Sequence, residues 1–154
     1  MKYFFPLFPF VFGWLLLLVS SELFFLGLTN GLLQLLLFAL VVCIPTALTG
    51  RMSYVDIGWP WGLVLIGFLT LLFSVGETGR VAAVSAAYIF AGGRMGLGAI
   101  KMWKAGILKK ELPRYEYQKR RWQDAGKTNI KLNMQVEGIL QGLANASFLA
   151  MPAF

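Results

Sequence analysis

From the amino end the chain alternates between long apolar runs and short polar breaks. A bilayer core takes about 20 apolar helical residues. Four runs approach that length: Leu7–Leu28, Leu32–Thr49, Val55–Val75 and Val81–Met102. Thr29-Asn30-Gly31, Gly50-Arg51 and Gly76-Glu77-Thr78-Gly79 separate them and read as turns. Pro6 and Pro9 stand near the start of the first run, where a helix tolerates proline best. A polar stretch over 103–131 follows. Beyond it lies a weaker fifth run, Leu132–Phe154, which carries Gln135, Glu137, Gln141 and Asn145. The pattern predicts an all-α fold: one polytopic transmembrane helix bundle of four spans plus a weaker fifth.

Charge gives this bundle an orientation. Lys101–Lys131 holds ten basic side chains against Glu111, Glu116 and Asp124, and that excess of seven equals the whole chain's formal +7. Basic segments stay in the cytoplasm. The reading is therefore an integral, multi-pass membrane protein with its N-terminus, Lys2, Arg51 and the basic loop 103–131 cytoplasmic. Arg80, offset by Glu77, falls outside. No small-x-small cleavage site follows Leu15–Val19, so the first run reads as a retained anchor. The chain has no His, which removes imidazole acid–base catalysis and His-ligated metal or haem. The single Cys43, in an apolar run, allows no intrachain disulfide and reads as a packing or lipid-facing residue. No metal site is expected. Nucleic acid is excluded as a partner because the basic loop is tethered to spans at both ends. The bilayer itself is the expected partner.

Small residues crowd the fourth run, and Gly58/Gly62, Gly92/Gly96 and Gly138/Gly142 have GxxxG spacing. Such faces let helix backbones approach closely, here within the bundle. Gly93, Gly96 and Gly98 lack the spacing of a dinucleotide fingerprint.

Charges inside spans are costly and point to function. Asp56 falls at the cytoplasmic start of the third run, Arg94 roughly 12 Å deep in the fourth, and Glu137 roughly 8 Å deep in the fifth. Asn133, Glu137, Gln141 and Asn145 recur at every fourth position and share one slowly drifting face. Together these predict a cleft between the third, fourth and fifth runs, open to the cytoplasm. Plainer readings stand beside this one. Arg94 snorkels or pairs with Glu137, and Asp56 caps its helix. Trp59 and Trp61 belong to an interfacial aromatic belt, while Glu22 and Gln34 are ordinary interface or packing residues. The segment Pro113-Arg114-Tyr115-Glu116-Tyr117-Gln118-Lys119-Arg120-Arg121-Trp122 suits phosphate contacts and stacking on a base, and equally the surface of an anionic leaflet.

Ser53-Tyr54-Val55-Asp56-Ile57-Gly58-Trp59-Pro60-Trp61-Gly62, then Gly93-Arg94, then Arg114-Tyr115-Glu116-Tyr117-Gln118 with Arg121-Trp122, resembles the N-terminal half of the steroid 5α-reductase-like membrane family. The likeness is greatest to its bacterial branch, catalogued as a domain of unknown function. The resemblance implies reduction of a conjugated carbon–carbon double bond in a lipid or sterol-like substrate, with NADPH as hydride donor. It implies that Asp56, Arg94 and Glu137 line the substrate cleft, and that Arg114, Tyr115, Tyr117, Arg120 and Arg121 serve the cofactor. The family's proton-donating tyrosine falls at Ala91, with Tyr88 one turn back as a substitute. Further family spans hold most of the NADPH site, whereas this sequence ends at Phe154. The resemblance thus implies a fragment, a truncated product or half of a split enzyme.

Two other readings remain. One is a non-enzymatic small membrane subunit that packs within a larger complex. The other is kinship with isoprenylcysteine methyltransferase-like enzymes, which use S-adenosylmethionine.

Overall fold

A computed structural model describes residues 3–154; Met1 and Lys2, and with them the expected position of the N-terminus, lie outside the described residues. Every regular element among the described residues is helical: α1 (Phe8–Val19), α2 (Phe24–Phe38), α3 (Ile44–Thr49), α4 (Val55–Phe73), α5 (Thr78–Lys104), α6 (Pro113–Asp124) and α7 (Ile130–Ala146). Three continuous helices are long and apolar enough to cross a membrane: Phe24–Thr49, Val55–Phe73 and Thr78–Lys104. Phe12, Phe25, Leu36, Leu40, Phe68, Leu72 and Phe90 are exposed on the outside of the bundle. A surface of that kind suits a lipid bilayer.

The first two expected spans are divided differently from the sequence reading. A 3-10 turn and α1 together cover Phe5–Val19. At about 1.5 Å per residue that helix is too short for a hydrocarbon core of about 30 Å. The break comes at Ser20-Ser21-Glu22, where the backbone turns extended at Ser20 and Glu22 is exposed. Thr29-Asn30-Gly31, expected to be a turn, lies inside α2. Its polar and small residues pack against other helices: Asn30 is fully buried, and Gly31 lies directly against the Trp14 indole. From α2 the helix runs without a break through a π turn, Ala39–Cys43, into α3. It ends at Gly50, whose φ of 69° is the left-handed conformation that favours glycine.

The later boundaries match the expected ones more closely. α4 passes through Pro60, and Gly76–Gly79 does contain the turn into α5. There Glu77 caps α5 by accepting the N–H groups of Gly79 and Arg80 at 2.9 and 2.7 Å. These bonds hold its carboxyl below the usual range. The fifth expected span shrinks to α7, after which the chain runs in turns to residue 153. α7 packs against α1, α2 and α4, so its polar residues meet protein as well as the outside.

Glycines set the helix spacing. A Cβ on Gly92 would stand 2.6 Å from the Pro60 carbonyl oxygen, and one on Gly96 would stand 2.9 Å from the Trp61 ring. These two residues let α5 lie flat along α4. Gly62 opens the room for a buried amide cluster at the junction of α2, α4 and α7. Gln34 Nε2 donates to the Gly62 carbonyl at 2.8 Å and to Asn30 Oδ1 at 3.2 Å. Asn145 Nδ2 donates to Gln34 Oε1 and to the Trp59 carbonyl, each at 3.4 Å, and Asn30 Nδ2 donates to the Asn145 carbonyl at 3.3 Å. Gln34, read as ordinary packing, is thus the hub of this network, because an amide side chain without water must find protein partners.

A Cβ at Gly62 would collide with both Asn145 Nδ2 and Gln34 Oε1, whereas one at Gly93 would meet nothing within 4 Å. Gly62→Ala is expected to destabilise the protein by about 1–3 kcal/mol, as overpacking does. Gly93→Ala should be neutral or slightly stabilising. Thermal unfolding of the two variants in detergent checks the contrast.

Candidate functional site

The basic segment is not a solvated loop. It folds back beneath the start of α4 through a set of polar contacts centred on Glu111. That carboxylate is only 9% exposed. It accepts the Met52 N–H at 2.9 Å, the Ser53 N–H at 3.1 Å, the Ser53 hydroxyl at 2.7 Å and Lys119 Nζ at 2.5 Å. Ser53 Oγ in turn accepts the Leu112 N–H at 3.1 Å. Arg51 donates to the Leu108 carbonyl at 3.0 Å, and Lys119 to that of Gly50 at 2.7 Å. Beneath these bonds Trp122 of α6 is buried with Met52 and Met134.

Folded this way, α6 delivers Arg114 and Tyr115 to Asp56 on the first turn of α4. The Tyr115 hydroxyl donates to Asp56 Oδ1 at 2.6 Å, and the Arg114 guanidinium is ion-paired to Oδ2. The guanidinium also lies over the Tyr115 ring, 5.1 Å from its centroid. Burial raises the Tyr115 pKa, and the neighbouring carboxylate raises it further. The phenol therefore keeps its proton. For Arg114, partial desolvation disfavours the charge, but the Asp56 hydrogen bond and charge outweigh it and its pKa is raised.

Asp56, Arg114 and Tyr115 stand at one side of an open cleft of ≈ 690 Å³. Trp59, Pro60 and Val55 of α4 form one wall, and Met95, Gly98, Ala99 and Met102 of α5 form another. Glu137 and Gln141 of α7 complete it. Gln141 Nε2 donates to Glu137 Oε1 at 2.9 Å, which leaves the carboxylate without a cationic partner among the described residues. The cleft is thus apolar over most of its lining, with one carboxylate–guanidinium–phenol group and one further carboxylate. Such a site can hold an amphiphile and direct hydrogen-bond donors at a polar atom on it.

The expected site residues do not all converge. Asp56, Glu137, Arg114 and Tyr115 do. Arg94 is one residue before Met95 yet lies exposed on α5, outside the cleft lining, with neither a hydrogen bond nor an ion pair among the described residues. Tyr88 is half-buried elsewhere in the bundle, where its hydroxyl donates to the Leu149 carbonyl at 2.6 Å. Tyr117, Arg120 and Arg121 are exposed on the outer face of α6. The polar stripe on α7 also divides. A four-residue spacing drifts about 40° per step on a 3.6-residue helix, so Glu137 and Gln141 reach the cleft while Asn145 turns into the amide cluster. Trp59 lines the cleft. Glu111 and Ser53, which hold the site together, carried no signal in the sequence beyond Ser53's place in the Ser53–Gly62 motif.

Burial acts against the Glu111 charge, but Lys119, the Ser53 hydroxyl and the Met52 N–H outweigh it and lower the Glu111 pKa. A carboxylate depressed in the folded state stabilises it above the unfolded pKa, roughly 4.3. That contribution disappears as pH falls through the lower folded value. Glu111→Gln is therefore expected to cost about 2–3 kcal/mol near neutral pH, with the gap to the parent protein closing under acid. Thermal unfolding at several pH values measures it.

No protein-family profile, curated protein or solved structure matches this chain, so its chemistry is read from its own residues.

Proposed function

We propose that the cleft is the substrate site of a membrane-embedded, NADPH-dependent reductase acting on a double bond conjugated to a carbonyl in a lipid or sterol-like molecule. The observation that carries this reading is the group Asp56–Arg114–Tyr115 at the side of an apolar cleft. Asp56 accepts from both partners and so holds at the side of the cleft a guanidinium with further N–H groups to donate and a phenol whose one O–H can turn from Asp56 to a substrate oxygen. A carbonyl oxygen placed there gains negative charge as the double bond is reduced, and preorganised donors stabilise that charge. Tyr115 can then supply the proton once its O–H turns from Asp56 to the substrate, with the Arg114 guanidinium alongside to offset the charge left on the phenolate. Val55, Trp59, Pro60 and Met95 give the substrate's apolar body a dry surface.

The hydride in this scheme comes from NADPH. Its anionic part suits the outer face of α6, where Arg120 and Arg121 are exposed and Tyr117 stands one turn before Arg121. Guanidinium groups bind phosphates in bidentate fashion, and the Tyr117 ring, 65% exposed, can stack on a base. In this reading the basic segment and the N-terminus face the cytoplasm, where the cofactor is found and where basic segments are retained.

One observation favours a second reading. Arg94 stands unpaired on an exposed face of α5, in a helix apolar enough to cross a membrane. An unpaired guanidinium there is costly. A partner span carrying a carboxylate would relieve that cost, and the protein would then be a subunit of a larger membrane complex.

The reductase reading predicts NADPH oxidation by the purified protein in nanodiscs when an apolar enone is supplied. Tyr115→Phe is expected to lower kcat/KM by about 10², and Arg121→Gln to raise the KM for NADPH with little change in kcat. Absence of both NADPH binding and enone reduction would rule out the reductase. Recovery of a stoichiometric membrane partner that Arg94→Leu abolishes would establish the subunit reading.

A further inference from the structure

The cleft carries one charge that the proposed reduction leaves unused. Its lining holds two carboxylates, Asp56 and Glu137, against one guanidinium, Arg114. Asp56 and Arg114 are paired with each other. Glu137 has no cation among the described residues, so the lining is in excess by one negative charge. Arg94 and Lys101 of α5 are exposed and lie outside the lining. We infer that Glu137 binds the ammonium group of a cationic amphiphile held in the cleft.

The carboxylate is both held and open. Glu137 and Gln141 stand one turn apart on α7, and both border the cleft. Gln141 Nε2 donates to Glu137 Oε1 at 2.9 Å, which steadies one oxygen without neutralising the charge. The other oxygen, Oε2, has no partner among the described residues and is not one of the polar atoms sealed between helices. An ionised carboxylate has about four acceptor sites, so most of its capacity is unspent.

The surroundings select the kind of cation. α4 and α5, which form two walls of the cleft, are both long and apolar enough to cross a membrane. A carboxylate among such helices is costly unless it is paired. A hydroxyl would give it a hydrogen bond and leave the charge in place. An ammonium gives both, and hydrogen bonds between charged groups are the stronger ones. No group of three metal-ligating side chains occurs among the described residues, so Glu137 lacks the co-ligands a metal ion would need. Trp59, Pro60, Met95 and Met102 add an apolar surface beside it, and methionines adapt to irregular apolar shapes. An amphiphile uses that surface and a bare ion does not. Resting on the reductase reading, the substrate carries its conjugated carbonyl at Arg114 and Tyr115 and its amine at Glu137, and so is an amphiphilic amine.

N,N-dimethyldodecylamine, dodecanol and dodecanoate share a chain and differ in head-group charge, and they are the probes. In native mass spectrometry of the purified protein, the amine should be retained at one site about tenfold more tightly than the alcohol, as one charge-assisted contact allows. Dodecanoate should be retained least. Glu137→Gln keeps the shape and can still accept from Gln141, and it should lower retention of the amine to that of the alcohol. Glu116→Gln makes the same charge change on the exposed face of α6 and should keep the preference. A second measurement needs no variant. An apolar carbodiimide labels accessible carboxylates, and peptide mapping locates the label. The amine should protect Glu137 from labelling, and dodecanol should not. Equal retention of amine and alcohol, a preference that survives Glu137→Gln, or labelling of Glu137 unaltered by the amine overturns the site. Neither measurement uses NADPH or turnover. A failure here therefore leaves enone reduction untouched, and a failure of enone reduction leaves the amine site standing.

Discussion

The Glu111 carboxylate is the contact on which the site depends. It reaches the backbone of Met52 and Ser53 from nearly sixty positions away in sequence, and Lys119 neutralises it in place. Without it the Met52 and Ser53 N–H groups, in the turn that leads into α4, would be unfilled, and the cationic segment would lose its most buried polar tie to the bundle. Once it is there, Leu112 is bonded to Ser53, the helix beginning at Pro113 follows, and Arg114 and Tyr115 arrive at Asp56. The clamp works because both sides bring what the other lacks: two backbone donors in the turn ahead of α4 and a half-desolvated acid next to a lysine. The basic segment is thereby a folded helix packed on the bundle rather than a loose loop.

The interior obeys a second constraint. Where no water is at hand, amide side chains must bond to each other or to carbonyls, and the helices must approach closely enough to permit it. Gly62 provides that approach at the centre of α4, and Gln34, Asn30 and Asn145 fill it. Within this cluster only Asn145 Oδ1 has no partner. The same close-packing logic explains why Gly92 and Gly96 face α4, whereas Gly93 and Gly98 open onto free space beside Arg94. One helix therefore carries a packed face and an unpacked one. The unpacked one flanks the cleft.

Particular residues show how far the sequence could be read. Asp56 and Glu137 were conspicuous because carboxylates in apolar surroundings are costly, and both do border the cleft. Arg94 was conspicuous for the same reason and does not. Cost marks a residue as unusual but carries no angle, and a helical position one step from Met95 is enough to turn a side chain outward. Ser20-Ser21-Glu22 was a break in plain view, yet apolar residues on both sides made it look continuous. Asn30 and Gly31 looked like a turn by type and proved to be an interhelical contact. In both cases turn residues and packing residues have the same identities, and only the neighbouring helix distinguishes them.

The sequence by itself determined that this is an all-helical chain with apolar spans, a basic segment gathered in one place, and ionisable side chains where lipid-facing helices should have none. Those follow from composition and period, which act locally along the chain. Tertiary structure alone decided that Phe5–Val19 is too short to be a span, that the basic segment is folded rather than loose, and that Tyr115, not Tyr88, meets Asp56. Each of these depends on pairs such as Glu111 with Ser53 or Gln34 with Asn145. Contacts between positions so far apart are set by the geometry of packed helices, which no local pattern encodes.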